Sequence, residues 1–318
     1  MTSIAVVGCG AMGSVYAALL ADSGHEVWAV DPWREHVAAI SEHGLRLEGF
    51  SGDRTVPLAG AVTAPDDASG PVDVVILATK VGHVTAAAEQ LGPLLGPDTP
   101  VLSIQNGLGG PDRAAAVLGP DRVVVGVVGG FGASMVGPGH AHHNGMEMVR
   151  LGEYETDGAA AAVSGRVERL AELWRSGSFT VSTFANVHQL VWEKLICNVA
   201  FSGPCTVTGL RVGELLADPD ASNLSSACVA EAAAVAAARG IPMDVGGDAV
   251  AYTRTFGSRI PGARPSMLLD WLAGRPCEID AINGAIVTAA AELGLDAPTN
   301  AAVASTIRAW ERARDRSA

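Results

Sequence analysis

Of the 21 lysines and arginines in this chain of 318 residues, only Lys80 and Lys194 are lysines. Arginine stays protonated in proteins, whereas lysine can release a proton and shifts its pKa readily when buried. A site that must deliver a proton, or place a compact point charge, therefore has no arginine substitute. An arginine-biased composition could leave the same two lysines by chance, so their neighbours have to decide.

Lys194 lies in Val191-Trp192-Glu193-Lys194-Leu195-Ile196-Cys197-Asn198-Val199-Ala200-Phe201-Ser202. On a helix, Lys194, Asn198 and Ser202 fall at i, i+4 and i+8 and form one polar stripe. An ammonium, an amide and a hydroxyl in line suit a carboxylate or carbonyl ligand. A solvated face would carry more charge, and Glu193 is the one close charged neighbour. Further on, Ser266-Met267-Leu268-Leu269-Asp270 precedes Glu278-Ile279-Asp280-Ala281-Ile282-Asn283-Gly284. Taken singly, Ser266 reads as a helix cap and Glu278 as a carboxylate stabilising a helix N-terminus.

The other lysine belongs to a different texture. Ser3-Ile4-Ala5-Val6-Val7 has the composition of a buried parallel strand. Gly8-Cys9-Gly10-Ala11-Met12-Gly13 follows, then a helix-like stretch Ser14 to Ala21, then a second strand His25 to Val30 ending at Asp31. A strand, G-x-G-x-x-G, a helix and an acid at the end of the next strand form a dinucleotide-binding fingerprint. Gly8 permits the turn, Gly10 lets a pyrophosphate approach, and Gly13 lets the helix pack closely. The helix N-terminus offers N–H groups to the phosphates. Asp31 would accept from a ribose diol and repel a 2′-phosphate, which favours NAD over NADP. Arg34 is near enough to meet a 2′-phosphate and keeps NADP open. Asp31-Pro32 also has the form of an N-cap followed by proline.

These residues need a sheet to carry them. Val72 to Ala78 leads into Thr79-Lys80, Val101 to Ile104 into Gln105-Asn106-Gly107, and Val123 to Val128 into a glycine-rich stretch through Gly132. Segments 86–95 and 111–118 read as the intervening helices. The alternation predicts an α/β fold with a Rossmann-type doubly wound parallel sheet, whose ligands bind beyond the carboxyl ends of the strands. Lys80 and Asn106 sit at two such ends. His140, His142 and His143, with Glu147 nearby, read as a polar strand of a meander rather than a metal site. From Asn186 on, alanine-rich helical spacing dominates, notably over 220–239, 278–293 and 300–314. We therefore expect a dinucleotide-binding domain over 1–185 and an all-helical catalytic domain over 186–318.

A net charge of −13 argues against a nucleic-acid partner, which requires a basic face. No apolar run reaches a membrane span, and the apolar N-terminus lacks the basic start of a signal peptide. Five cysteines without C-x-x-C spacing suit a reducing compartment, so a cytoplasmic protein is expected.

Together the segments resemble the ketopantoate reductase (2-dehydropantoate 2-reductase) family, of the 6-phosphogluconate dehydrogenase-like superfamily, over nearly the whole chain. The resemblance rests on the G-x-G-x-x-G, Thr79-Lys80, Gln105-Asn106-Gly107, Lys194-Leu195-x-x-Asn198, Gly213-Glu214-Leu215, Ser266-Met267-Leu268-x-Asp270 and Glu278-Ile279-Asp280-x-Ile282-Asn283-Gly284. It implies a small 2-oxo or 2-hydroxy acid as partner and a monomer or homodimer. Lys194 would protonate the C2 carbonyl oxygen as hydride arrives from NAD(P)H. Asn198 would orient the substrate, with Asn106 and Ser202 beside it, and Ser266 would bind its carboxylate. Lys80, Asn106, Glu278 and the Gly132 region would border the cofactor. Two positions depart from the family pattern: Ser202, followed by Gly203, replaces the second Asn of Asn-x-x-x-Asn-Pro, and Val212 replaces a later substrate-contacting Asn. The family is commonly NADP-dependent, so Asp31 departs too. Some relatives are NAD-dependent dehydrogenases of D-2-hydroxy acids such as mandelate, an alternative for this chain. A non-catalytic nucleotide sensor would have no use for the Lys194 stripe.

Overall fold

The computed structural model describes residues 1–130, 132–145, 148–154 and 162–316. The chain forms two compact units, Met1–Gln105 with Gly110–Val187, and Asn106–Gly109 with His188–Ala318.

In the first unit, β1 (Ser3–Val7), α1 (Ala11–Asp22), β2 (Glu26–Val30) and α2 (Arg34–His43) lead into three short strands. These are β3 (Leu45–Gly49), β4 (Arg54–Val56) and β5 (Gly60–Val62). Then come β6 (Val74–Leu77), α3 (Val84–Glu89), β7 (Val101–Ser103), α4 (Gly110–Leu118) and β8 (Val123–Gly129). The unit closes with β9 (Gly132–Gly137), β10 (His140–Gly145), β11 (Met148–Glu153), α5 (Gly165–Ser176) and β12 (Val181–Thr183). The main sheet has the order β12-β11-β8-β7-β6-β1-β2-β5. All neighbours are parallel except β8 and β11. The strand order reverses at β1, with β2 on one side and β6 on the other, which is where open α/β sheets bind ligands.

Residues of β1 alternate between two cores. Ile4 and Val6 pack with Tyr16, Leu20 and Trp174, whereas Ala5 and Val7 pack with Val75, Leu77 and Val84. Both faces are covered, so these strands are continuously apolar rather than alternating. The expected helix over 86–95 is shorter: α3 ends at Glu89, and a 3-10 turn spans Gly92–Leu94. Pro93 has no N–H to give to Glu89 O, so the α-helix cannot run on through it. A second sheet, β4-β3-β10-β9, was not anticipated. The histidine-bearing strand β10 belongs to it, parallel to β3 and antiparallel to β9, rather than to a simple meander.

The second unit carries α6 (Val187–Thr208), α7 (Val212–Ala217), α8 (Pro219–Ala238), α9 (Ala249–Ser258), α10 (Ser266–Leu272), α11 (Asn283–Glu292) and α12 (Pro298–Asp315). Its centre is a buried polar hub. Asn283 Nδ2 donates to Asn300 Oδ1 at 2.9 Å and to Val199 O at 3.3 Å, while Asn300 Nδ2 donates to Glu231 Oε2 at 2.7 Å. Burial alone would raise the Glu231 carboxyl, but donors on Thr299 and Asn300 outweigh it and hold it below the usual range.

Pro204 lies inside α6 and has no N–H to give Ala200 O. Ser225 Oγ, from α8, fills the gap with a 2.7 Å hydrogen bond to that carbonyl. Ser225→Ala leaves a buried acceptor unmatched, and urea unfolding is expected to show a loss of about 1–3 kcal/mol. Among the described residues, no helix is long and apolar enough to cross a membrane.

Candidate active site

The first unit gathers its predicted residues at the carboxyl ends of β1, β2 and β6. Gly8 has φ +90°, and a Cβ there would lie 2.6 Å from Thr79 N, so the turn after β1 packs on the turn after β6. That contact sets Thr79 and Lys80 beside the glycine-rich turn. The N–H groups of Gly8 and Cys9 both donate to Val30 O, at 2.9 and 3.3 Å, which ties the turn to the end of β2 and hence to Asp31. Burial pushes the Cys9 thiol up to about 12. Cys9 thus contributes backbone shape and core packing, not a reactive sulfur.

A Cβ on Gly13 would meet Gly8 O at 2.2 Å, so this glycine is required for packing. Gly10 is different. A Cβ there would meet nothing within 4 Å. Packing does not explain a glycine at this position. Gly10 is also the N-cap of α1, with no side-chain cap and no acid in the first turn. The amides of Ala11 and Met12 stand at that uncapped end. This is the combination a pyrophosphate requires: room above the backbone and N–H groups at a positive dipole end. Thr79 Oγ1 is a second sign of an incomplete site, since it is buried without a hydrogen-bond partner among the described residues. A dinucleotide therefore fits this loop.

Asp31 Oδ1 accepts from Trp33 N–H at 3.0 Å, which fixes the carboxylate at the end of β2. Trp33, not Asp31, occupies the N-cap position of the helix that follows, with no side-chain cap. Gly132 opens β9 just beyond β8. On β10, His140 Nε2 and His142 Nδ1 lie 3.0 and 3.3 Å from the two oxygens of Glu48, while His143 is buried with Nδ1 3.1 Å from Ser51 Oγ. Glu147 lies outside the described residues. Among the described residues, no group of three or more His, Cys, Asp or Glu side chains is arranged to hold a metal ion.

The second unit brings Lys194 and Asn106 together. Lys194 Nζ donates to Asn106 Oδ1 at 2.5 Å, although 88 residues separate them. The chain leaves the first unit at Gln105, places Asn106–Gly109 in the second, and returns at Gly110. Gly107 makes this possible. Its φ is +82°, and a Cβ would strike Ala281 O at 2.2 Å. Leu108 N–H donates to the same Ala281 oxygen at 2.9 Å. The 3-10 turn Ile279–Ala281, which follows Glu278, thus anchors the loop carrying Asn106. The Asn-Gly pair at 106–107 signalled a turn, but not its partner.

Along α6, Lys194 and Asn198 are half-buried, whereas Ser202 is only 4% exposed. The polar stripe therefore opens over two residues, not three. Val212, at the start of α7, is buried, with its N–H donating to Ala263 O at 3.0 Å. Ser266 is the exposed first residue of α10, and Pro265 occupies the N-cap, so Ser266 is not spent as a cap.

The sequence and the fold both match a known set of proteins. Residues 4–156 match the family profile described as ketopantoate reductase PanE/ApbA, and residues 186–311 match its C-terminal counterpart. A 2-dehydropantoate 2-reductase of Lactococcus lactis is 30% identical over 291 residues, covering 89% of each chain. A PanE/ApbA family ketopantoate reductase from Ralstonia eutropha superposes with a TM-score of 0.89 at 30% identity, over 98% of this chain and 99% of that one. A D-mandelate dehydrogenase, solved with NADH and anilino(oxo)acetate, superposes with a TM-score of 0.87 at 28% identity, over 98% of each chain. The chain belongs to the ketopantoate reductase PanE/ApbA family of oxidoreductases.

Proposed function

We propose that this protein reduces the C2 carbonyl of a 2-oxo acid, ketopantoate in the first instance, to the D-2-hydroxy acid with a nicotinamide dinucleotide. The observation that carries this reading is the Lys194–Asn106 pair. When bound, the dinucleotide supplies a hydride. Asn106 Oδ1 fixes the position of the ammonium. Lys194 stabilises the negative charge growing on the carbonyl oxygen and delivers a proton to it, a contribution of about 10²–10⁴-fold. Asn198, one helical turn on, orients the substrate, and Ser266 receives its carboxylate. Glu278, whose carbonyl accepts from Ala281 N–H at 3.1 Å, borders the cofactor. Gly10, Ala11 and Met12 receive the pyrophosphate, Lys80 places a positive charge near the cofactor, and the Gly132 segment borders it. The dinucleotide domain is the first unit and the catalytic domain the second, in a cytoplasmic monomer or homodimer.

NAD is the favoured cofactor. The Asp31 carboxylate, oriented by Trp33 N–H, accepts from a ribose diol and repels a 2′-phosphate. Asp31→Ser keeps a side-chain acceptor for Trp33 N–H but removes the charge. It is expected to cut kcat/KM for NADH by about 10–100-fold, the value of hydrogen bonds to a charged acceptor, and to spare NADPH. Steady-state kinetics with both cofactors checks this. An unchanged NADH to NADPH ratio would overturn the assignment.

A second reading has its own support. Both positions where the family pattern has a substrate-side amide are buried here, as Ser202 and Val212. A site with fewer amides loses discrimination for a hydroxylated substrate and suits a more apolar 2-oxo acid. On this reading the chain is an NAD-dependent D-2-hydroxy acid dehydrogenase, as its likeness to D-mandelate dehydrogenase suggests. A panel of 2-oxo acids with NADH and NADPH separates the two. The highest kcat/KM on ketopantoate supports the first reading, and the highest on an aryl or branched 2-oxo acid supports the second. Cofactor binding without turnover of any panel member would sink both.

A further inference from the structure

We propose that His36 is a positioning residue for the dinucleotide-binding turn, locking its shape through the Cys9 carbonyl. The proposal rests on the reading of Gly8–Gly13 as a pyrophosphate cradle. His36 lies on α2, 27 residues beyond Cys9, and is fully buried. Its Nε2 is 2.8 Å from Cys9 O and 3.4 Å from Ser14 Oγ. Its Nδ1 accepts from Gly139 N–H at 2.9 Å, in the turn between β9 and β10. The ring also stacks on Trp33, with centroids 5.2 Å apart and planes within 14°.

These partners dictate the protonation state. Gly139 N–H can only donate, so Nδ1 carries no proton. Cys9 O can only accept, so Nε2 carries one. A neutral imidazole with this tautomer is the form that satisfies both, and burial lowers the His36 pKa in the same sense. A single ring thus spans three pieces of chain: the turn after β1, helix α2 and the β9–β10 turn. Cys9 N–H is already bonded to Val30 O, so the Cys9 peptides are held on both sides of the residue. What remains, Gly10 onward, is aimed by that clamp. Ser14 Oγ donates to the same Cys9 oxygen at 3.0 Å, a second bond holding the turn against the first helical turn.

The two ring nitrogens can be replaced one at a time. The amide nitrogen of glutamine reaches the Nε2 position and can still donate to Cys9 O. Asparagine is shorter and offers an acceptor near the Nδ1 position only. Positioning through Cys9 predicts that His36→Gln keeps NADH affinity within about three-fold, while His36→Asn and His36→Ala weaken it about ten-fold or more, the worth of one well-placed hydrogen bond. Affinity is read by quenching of protein fluorescence or by NADH fluorescence, and the melting temperature of each variant is followed alongside. A purely structural histidine would lower the melting temperature without separating Gln from Asn in affinity. Equal NADH affinity for His36→Gln and His36→Asn would therefore overturn the proposal, even if His36→Ala fails to fold. If the wild-type protein binds neither NADH nor NADPH, the cradle reading itself falls, and the role of His36 with it.

Discussion

Lys194→Arg is expected to lower kcat by about two to four orders of magnitude while the protein stays folded and still binds its cofactor. Arginine keeps the positive charge, so ground-state attraction for an anionic substrate survives. It does not give up a proton near neutral pH, so the alkoxide formed by hydride delivery goes unprotonated. Its planar fork also cannot reproduce a point donor to Asn106 Oδ1, which lies 2.5 Å from the lysine nitrogen. A stopped-flow or steady-state comparison with the best 2-oxo acid of the panel reads the effect. Turnover within about three-fold of wild type would remove Lys194 from the proton-transfer role, because general acid catalysis of ordinary size could not then be at work.

The second large effect separates the glycines of one motif. Gly10→Ser is expected to raise the Kd for NADH by about one to two orders of magnitude, or about 1.4–3 kcal/mol, without lowering the melting temperature. Serine is a favoured N-cap, and nothing stands within 4 Å of the place its Cβ would take. Its hydroxyl would bond the amides of α1 that a pyrophosphate needs, and its Cβ would occupy the open space above Gly10. Gly13→Ala should behave otherwise. The new Cβ would sit 2.2 Å from Gly8 O, a backbone atom that must shift, so stability and cofactor affinity fall together. Thermal melts and NADH titrations on both variants test the contrast. A Gly10→Ser protein with wild-type affinity would show that no phosphate approaches that residue.

Much of the first unit was legible because its signals are local. Short, largely apolar runs at 3–7, 101–103 and 123–128 mark strands buried on both faces, and the glycine spacing after the first names the turn. The second sheet was not legible. His140–Gly145 carries three histidines and pairs with β3, some 90 residues earlier, so neither composition nor neighbourhood announces it. The helix expected over 86–95 ends at Glu89, because Pro93 cannot donate the next hydrogen bond and the chain turns in 3-10 form over Gly92–Leu94.

The candidate site divides in the same way. Sequence by itself determined the chemistry on offer: two lysines among arginines, an amide one helical turn from Lys194, an acid at the end of β2, and glycines at fixed spacing. Periodicity and residue type suffice for this, since they depend on a few neighbouring positions. Tertiary structure alone decided which groups meet. It joined Lys194 to Asn106 through a loop anchored on Ala281, and it buried Ser202 although its spacing placed it on the same stripe. It spent Ser225 on the carbonyl orphaned by Pro204, and it clamped Cys9 with a histidine whose other nitrogen holds Gly139. Helical spacing sets the direction of a side chain, but burial and partners depend on what packs there from distant parts of the chain. Lys194 could be singled out from sequence as a proton donor; its fixed position follows only from the fold.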